Sequence, residues 1–332
     1  MAFFFTFTNG FQDASAIAAT FIASKSASPR KGIIFVAAFV FIGTLFGGSA
    51  VAFTISELVS IDSGTTTVYV MMTGLFTAAL WNLITWRYGL PASSTHALIG
   101  GLTGSALAAA GIGSISWGFS ELIFPPHELT GFAKILFFLI VSVIIGFAGS
   151  YAMQKIVSAS LRNAKRSVND KIIKLNWVAA ALMSFGNGAN DSQKQLGIIA
   201  LVLYSAGISA VLEVPLWARA ACAVLLGFGT LAGGWRIMNT LGNRIFKIQP
   251  VHSFDSQFAS GLSIGISTIF GAPISSNHII STSIIGVGAA ENPKKVNWIT
   301  GRDIVIAMIV TIPVTIIISW TVYHLIGYIP GV

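Results

Sequence analysis

Ten apolar runs, each near the length of a membrane crossing, take up most of this 332-residue chain. They fall at 1–24, 33–53, 67–88, 90–113, 131–153, 177–204, 214–235, 255–271, 273–290 and 304–329. A crossing needs about 20 apolar residues. Only 9% of the residues are charged, against about a quarter in a soluble domain. Lipid supplies no hydrogen bonds, so a spanning backbone must satisfy its own, which a helix does. The chain therefore reads as an all-α polytopic membrane protein. The formal charge of +8 does not indicate nucleic acid here. The basic residues sit in short loops, where they set topology and meet the anionic headgroups of the bilayer. The single cysteine, Cys222, lies inside an apolar run. It reads as a packing residue, and an intramolecular disulfide or a cysteine metal site is excluded. Residues 1–8 have no basic leader and read as the start of the first span.

Loop charges test the span count. With the amino terminus outside, the inner loops are 25–32, 87–89, 154–176, 236–254 and 291–303. They hold 16 of the 19 Lys and Arg residues, among them Arg87, Arg166, Lys171 and Arg236. The outer loops hold Glu57, Asp62, Glu121, Glu128 and Glu213, and Lys134, Lys194 and Arg219 are left over. This asymmetry obeys the positive-inside rule. The expectation is a multi-pass protein of the cell's inner (plasma) membrane, with the amino terminus outside and the 154–176 loop cytoplasmic.

Two motifs recur. Asn9-Gly10-Phe11-Gln12-Asp13 returns as Asn187-Gly188-Ala189-Asn190-Asp191, 178 positions on. Gly89-Leu90-Pro91-Ala92-Ser93-Ser94-Thr95-His96 returns as Gly271-Ala272-Pro273-Ile274-Ser275-Ser276-Asn277-His278, 182 positions on. Both fit one duplication of about five spans. Five is odd, so the second copy enters the membrane upside down, as the loop charges also require. The organisation expected is a first repeat at 1–153, a basic cytoplasmic linker at 154–176 and a second, inverted repeat at 177–332. Inverted repeats with broken or re-entrant helices at matching positions are the architecture of secondary transporters.

The motifs suggest the chemistry. A carboxylate inside an apolar span costs roughly 2.5–3.5 kcal/mol even on a lenient scale, so Asp13 and Asp191 must face a wet cavity, a partner or a cation. A salt bridge to Lys194 is the structural alternative. The Asn-Gly pairs read as helix breaks near mid-membrane, where free backbone groups would line a site. The Pro-x-Ser-Ser motifs read as helix starts, with Pro in the first turn and Ser as cap. A half-helix starting there turns its free N–H groups and positive end toward the midplane, an anion site. Ser93, Ser94, Thr95, Ser275, Ser276 and Asn277 add donors, and Asn190 and Gln193 are further amide donors. Asp13 and Asp191, with Asn9 and Asn187 beside them, are the candidate ligands of a coupling cation. His96 and His278 close the motifs as packing residues or as a proton relay. An anion sits beside two carboxylates only with cations or protons between them, which is the logic of symport. Many hydrogen-bond donors and few cations suit a tetrahedral oxyanion.

These motifs resemble those of the inorganic phosphate transporter (PiT) family, bacterial type. Gly188-Ala189-Asn190-Asp191-Ser192 looks like the family's G-A-N-D signature, and Asn9-Gly10-Phe11-Gln12-Asp13-Ala14 is similar to its N-G-F-H-D-A form. Leu90-Pro91 to His96, Pro273 to His278 and Gly234-Trp235-Arg236 also fit. Gln12 stands where many bacterial relatives have His, which removes a titratable group, and Asn277 replaces the commoner Thr. The resemblance implies phosphate uptake coupled to sodium or protons, a site where the two repeats meet, and suggests a homodimer. No other cofactor is expected. The competing readings are a sulfate or other oxyanion permease of the same family, an intramembrane hydrolase, and a channel. The hydrolase lacks an evident nucleophile–base–orienter trio.

Overall fold

The computed structural model describes residues 1–61, 64–165 and 167–327, with side-chain positions for all of these but Phe11, Ala14 and Ser15. Asp62 and Arg166, placed above in an outer and an inner loop, lie outside the described residues, as does the end of the last apolar run. The described chain is helical, with an isolated bridge between Val59 and Ile115 as its extended pairing.

The first part of the chain contains α1 (Ala2–Ala23), α2 (Pro29–Phe46), the short α3 (Ala50–Ser56), α4 (Thr65–Tyr88), α5 (Ser94–Ala110), the short α6 (Phe119–Ile123) and α7 (Gly131–Ser160). The second contains α8 (Val168–Ser205), α9 (Leu216–Ala232), the short α10 (Trp235–Asn239) continued by a wider turn at Thr240–Arg244, α11 (Pro250–Ile269), α12 (Ser276–Glu291) and α13 (Trp298–Gly327). Helices run well into the expected 154–176 linker, α7 to Ser160 and α8 from Val168.

Several of the ten runs are broken or carry polar motifs, as the repeated motifs lead one to expect. Among the described residues α2, α4, α7 and α13 are long and apolar enough to cross a membrane alone, and α9 with the α10 segment passes the same test as a pair bent by 58°, the form of a broken span or a re-entrant loop. The other runs carry the polar motifs or are short. At 1.5 Å per residue, α5 and α12 are about 25 Å long. Ser94 to Ala106 of α5 and Ser276 to Ala290 of α12 are buried on every side, so these two helices are central rods. A helix buried all round needs no amphipathic stripe.

Packing exchanges partners between the two parts. Helix α7 lies on α12 while α13 lies on α5, and α1 lies on α9 while α2 lies on α8. Buried apolar side chains gather in two main clusters, one containing Ile17, Val40, Ile280 and Ile284, the other Phe5, Leu75, Leu98 and Leu102.

The expected helix breaks at the Asn-Gly pairs do not occur. Helix α1 runs unbroken through Asn9–Asp13, and α8 through Asn187–Asp191. The glycines serve helix crossing instead. A Cβ on Gly10 would stand 2.5 Å from the Leu226 carbonyl oxygen and 3.0 Å from Gly229 Cα, and one on Gly188 would overlap the Val40 carbonyl. A helical glycine loses about 1 kcal/mol relative to alanine, and close backbone packing, as between membrane helices, offsets it.

Candidate functional site

The serine motifs begin helices, as expected. Ser93 and Ser275 are N-caps in extended conformation. The Ser93 hydroxyl accepts from His96 N–H at 3.1 Å and that of Ser275 from His278 N–H at 3.4 Å. The prolines are not in the first turn. Pro91 and Pro273 stand two residues before the caps, where each holds its preceding residue extended and keeps the chain out of helix.

With the caps satisfied, the next residues turn inward. The Ser94 hydroxyl donates to Asp13 Oδ2 at 2.6 Å, and the Ser276 hydroxyl to Asp191 Oδ2 at 2.9 Å and Oδ1 at 3.1 Å. The following residues reach across to the opposite motif. Thr95 Oγ1 donates to the Ile274 carbonyl at 2.9 Å, and Asn277 Nδ2 to the Ala92 carbonyl at 2.7 Å. Asn277 Nδ2 also donates to Asp13 Oδ1 at 2.5 Å. Asp13 and Asp191 are linked through the adjacent residues Ser276 and Asn277, which donate to Asp191 and Asp13 respectively. The salt-bridge alternative holds for one of them: Lys194 Nζ lies 2.5 Å from Asp191 Oδ1. All these side chains are withdrawn from solvent, with Asp13 2% and Asp191 and Lys194 0% exposed.

The amide residues divide. Gln12 Nε2 donates to Thr85 Oγ1 at 3.0 Å and to the Ala92 carbonyl, and Asn190 Nδ2 donates to Thr268 Oγ1 at 3.0 Å and to the Ala272 carbonyl. Each braces the turn ahead of a helix start. Gln193 uses both ends of its amide on the corner between α2 and α3, donating to the Gly47 carbonyl and accepting from Val51 N–H at 2.7 Å. Asn9 is buried with neither amide atom partnered, and Asn187 is buried with its oxygen unpartnered. The histidines pair: the His96 and His278 rings are 4.4 Å apart. They border an apolar cavity of about 490 Å³ between α7 and α13, lined by Leu136, Ile140, Val305 and Ile309 among others.

One group escaped the reading of the motifs. Asp255 on α11 is fully buried, and among the described residues neither of its oxygens has a hydrogen-bond partner. The signal was a carboxylate at the first position of an apolar run, where it passes for a loop residue.

Among the described residues no group of three or more His, Cys, Asp or Glu side chains could hold a metal ion. The centre offers carboxylate, hydroxyl, amide and carbonyl oxygens, a donor set for a proton or a hard cation.

The sequence model of the phosphate transporter family matches residues 9–176 and 160–319. The chain belongs to the phosphate transporter family. It is 35% identical over 330 residues to a probable low-affinity inorganic phosphate transporter of Bacillus subtilis, covering 98% of this chain and 95% of that one. It is 37% identical over 325 residues to a protein of the same description from Rhizobium meliloti, covering 97% and 93%. The solved structure of a sodium-dependent phosphate transporter superposes with a TM-score of 0.86 at 22% identity, over 99% of this chain and 97% of that one. That likeness establishes the fold. The protein is a membrane transporter and not an enzyme.

Proposed function

We propose that this transporter imports inorganic phosphate together with a cation, sodium or proton, by alternating access, at the meeting point of two inverted repeats (1–153 and 177–332) joined by the 154–176 segment. The observation that carries this reading is the use of the helix-start serines. The hydroxyls of Ser94 and Ser276, placed to donate to an oxyanion, donate to Asp13 and Asp191. Cations or protons arriving at these carboxylates take over their lone pairs and free the hydroxyls for phosphate. Each substrate thereby prepares the site for the other. The exchange of packing partners between the two parts supports the repeat relationship.

Charge arithmetic supports obligate coupling. Two carboxylates against the Lys194 ammonium leave one net negative charge in a buried site. A phosphate monoanion would raise that to two, and charges of one sign in a dry interior repel strongly. Neutrality then calls for two monovalent cations or protons per phosphate. Phosphate near neutral pH keeps a proton that a carboxylate accepts; sulfate has none and meets repulsion, which favours phosphate as the substrate.

The test is labelled phosphate uptake into proteoliposomes, with sodium and pH gradients imposed separately and sulfate as competitor. Concentrative uptake driven by one of the gradients is expected. Uptake that never exceeds equilibrium, or sulfate outcompeting phosphate, would refute the reading.

A further inference from the structure

Four residues before each capping serine stands a glycine in the left-handed region, Gly89 and Gly271, both at φ +66°. Each ends one helix and opens the turn that leads to a helix start. Its carbonyl is the kind of group a helix end leaves without an intrahelical partner. In both cases a buried threonine from the other part of the chain supplies the missing donor. Thr54 Oγ1, on α3, donates to the Gly271 carbonyl at 3.0 Å, and Thr240 Oγ1, just after α10, donates to the Gly89 carbonyl at 2.9 Å. Neither glycine leaves open room for a side chain. A Cβ on Gly271 would lie 3.1 Å from the Ala50 carbonyl oxygen, and one on Gly89 would lie 3.4 Å from Arg236 Cβ.

The short helices that carry these threonines are themselves anchored. The corner before α3 is held by Gln193 and by Arg219, whose guanidinium donates to the Gly48 carbonyl at 2.7 Å and to Ser49 Oγ at 2.8 Å. Helix α10 is held to the end of α4 by Arg236, which donates to the Arg87 carbonyl and lies 5.6 Å from the Trp86 ring centre. Each threonine hydroxyl thus joins the α3 or α10 segment to a turn whose three residues after the glycine lead to the capping serine, Ser93 or Ser275.

We propose that Thr54 and Thr240 are the two latches of the transport cycle, positioning residues that hold the α11–α12 turn and the α4–α5 turn shut from opposite faces of the membrane. The proposal rests on the alternating-access reading above. With both bonds made, the centre is closed to both sides, and each bond must break in turn. A single neutral hydrogen bond is suited to this, since its net contribution is small. Release also leaves the donor satisfied: Thr240 Oγ1 already reaches the Arg236 carbonyl of its own helical turn at 3.3 Å. The freed glycine carbonyl is then hydrated by the water that the opening admits. The loop charges put the Gly89 latch on the cytoplasmic side and the Gly271 latch on the outer side.

The experiment uses the full chain with Cys222→Ala in vesicles of both orientations and a membrane-impermeant maleimide. Ala92→Cys reports on the first turn and Ala272→Cys on the second. Thr240→Val should speed labelling of Ala92→Cys from the cytoplasmic face by roughly two- to tenfold, the range of one net hydrogen bond, and leave or slow labelling of Ala272→Cys. Thr54→Val should do the reverse, from the outer face. Thr→Ser at either position should restore the parent rates. If a valine variant does not insert, the alanine variant takes its place. A merely structural threonine would move both reporters the same way, and that result, or no change in either, overturns the proposal while the parent reporters still respond to phosphate and cation. Parent reporters that respond to neither substrate would overturn alternating access, and the latches with it.

Discussion

Lys194 Nζ lies 2.5 Å from Asp191 Oδ1 on its own helix and 2.5 Å from Thr95 Oγ1 on the opposing helix start. One buried ammonium thus joins the carboxylate of the second part to the serine motif of the first. Removing it leaves Asp191 short of a counter-charge. Breaking a buried pair from one side destabilises by about 3–5 kcal/mol. Lys194→Met should therefore lower the thermal unfolding temperature in detergent, and Lys194→Met with Asp191→Asn should recover most of the loss. Equal melting of the single and double variants would show that the pair carries no such coupling.

Asp13→Asn and Asp191→Asn should each insert, because an amide oxygen still accepts from Ser94 or Ser276, and Asp191→Asn, which leaves the Lys194 ammonium without its partner, should melt lower than Asp13→Asn. Coupled uptake should fall roughly 10- to 150-fold, the range equivalent to weakening an interaction with a charged group by about 1.5–3 kcal/mol. Proteoliposome uptake under an imposed cation gradient measures it, and wild-type rates in both variants would end the paired-carboxylate mechanism.

Ser94→Ala and Ser276→Ala remove one hydroxyl donor each from the helix starts. Apparent phosphate affinity should weaken by roughly 5- to 30-fold, equivalent to about 1–2 kcal/mol. The cation dependence should shift less. Parallel titrations of phosphate and cation in uptake assays decide this, and a larger shift on the cation side would place the serines with the cation instead.

Gly186 and Gly188 lie two residues apart on α8 and predict opposite outcomes. A Cβ on Gly186 would meet Ile264 Cγ2 at 3.5 Å, an ordinary contact, while one on Gly188 would run into the Val40 backbone. Gly186→Ala should be neutral or stabilise by up to about 1 kcal/mol through helix propensity. Gly188→Ala should destabilise by about 1–3 kcal/mol by overpacking. Thermal unfolding of the two variants side by side is the check, and the prediction fails if Gly188→Ala melts no lower than Gly186→Ala.

The loop charges predict the topology. Ser167 is exposed at the start of α8 and Cys222 is buried. In a Cys222→Ala background, Ser167→Cys should react with an impermeant reagent from the cytoplasmic face only. Ready labelling from outside would invert the orientation.

The amino-acid sequence by itself determined the class of solvent this chain lives in and where its central helices begin. Both are local matters. Twenty apolar residues identify a span whatever surrounds them, and a Ser cap after an X-Pro pair stops one helix and starts the next without outside help, as Ser93 and Ser275 do. That Asp13 and Asp191 hold matching places was legible because the duplication repeats the motif that carries each. What only the tertiary structure decided is which way the polar groups face and what the glycines are for. Asn9-Gly10 reads locally as a break, yet the backbone of α9 crosses α1 there and needs the missing Cβ more than α1 needs a turn. Gln193 reads as a substrate donor by its place two residues after Asp191, but two residues on a helix point to different sides, and its amide ends on Gly47 and Val51. One of the donors to Asp13 is Asn277, 264 positions away. Such choices depend on helix crossings between distant parts of the chain, and no local pattern encodes a crossing.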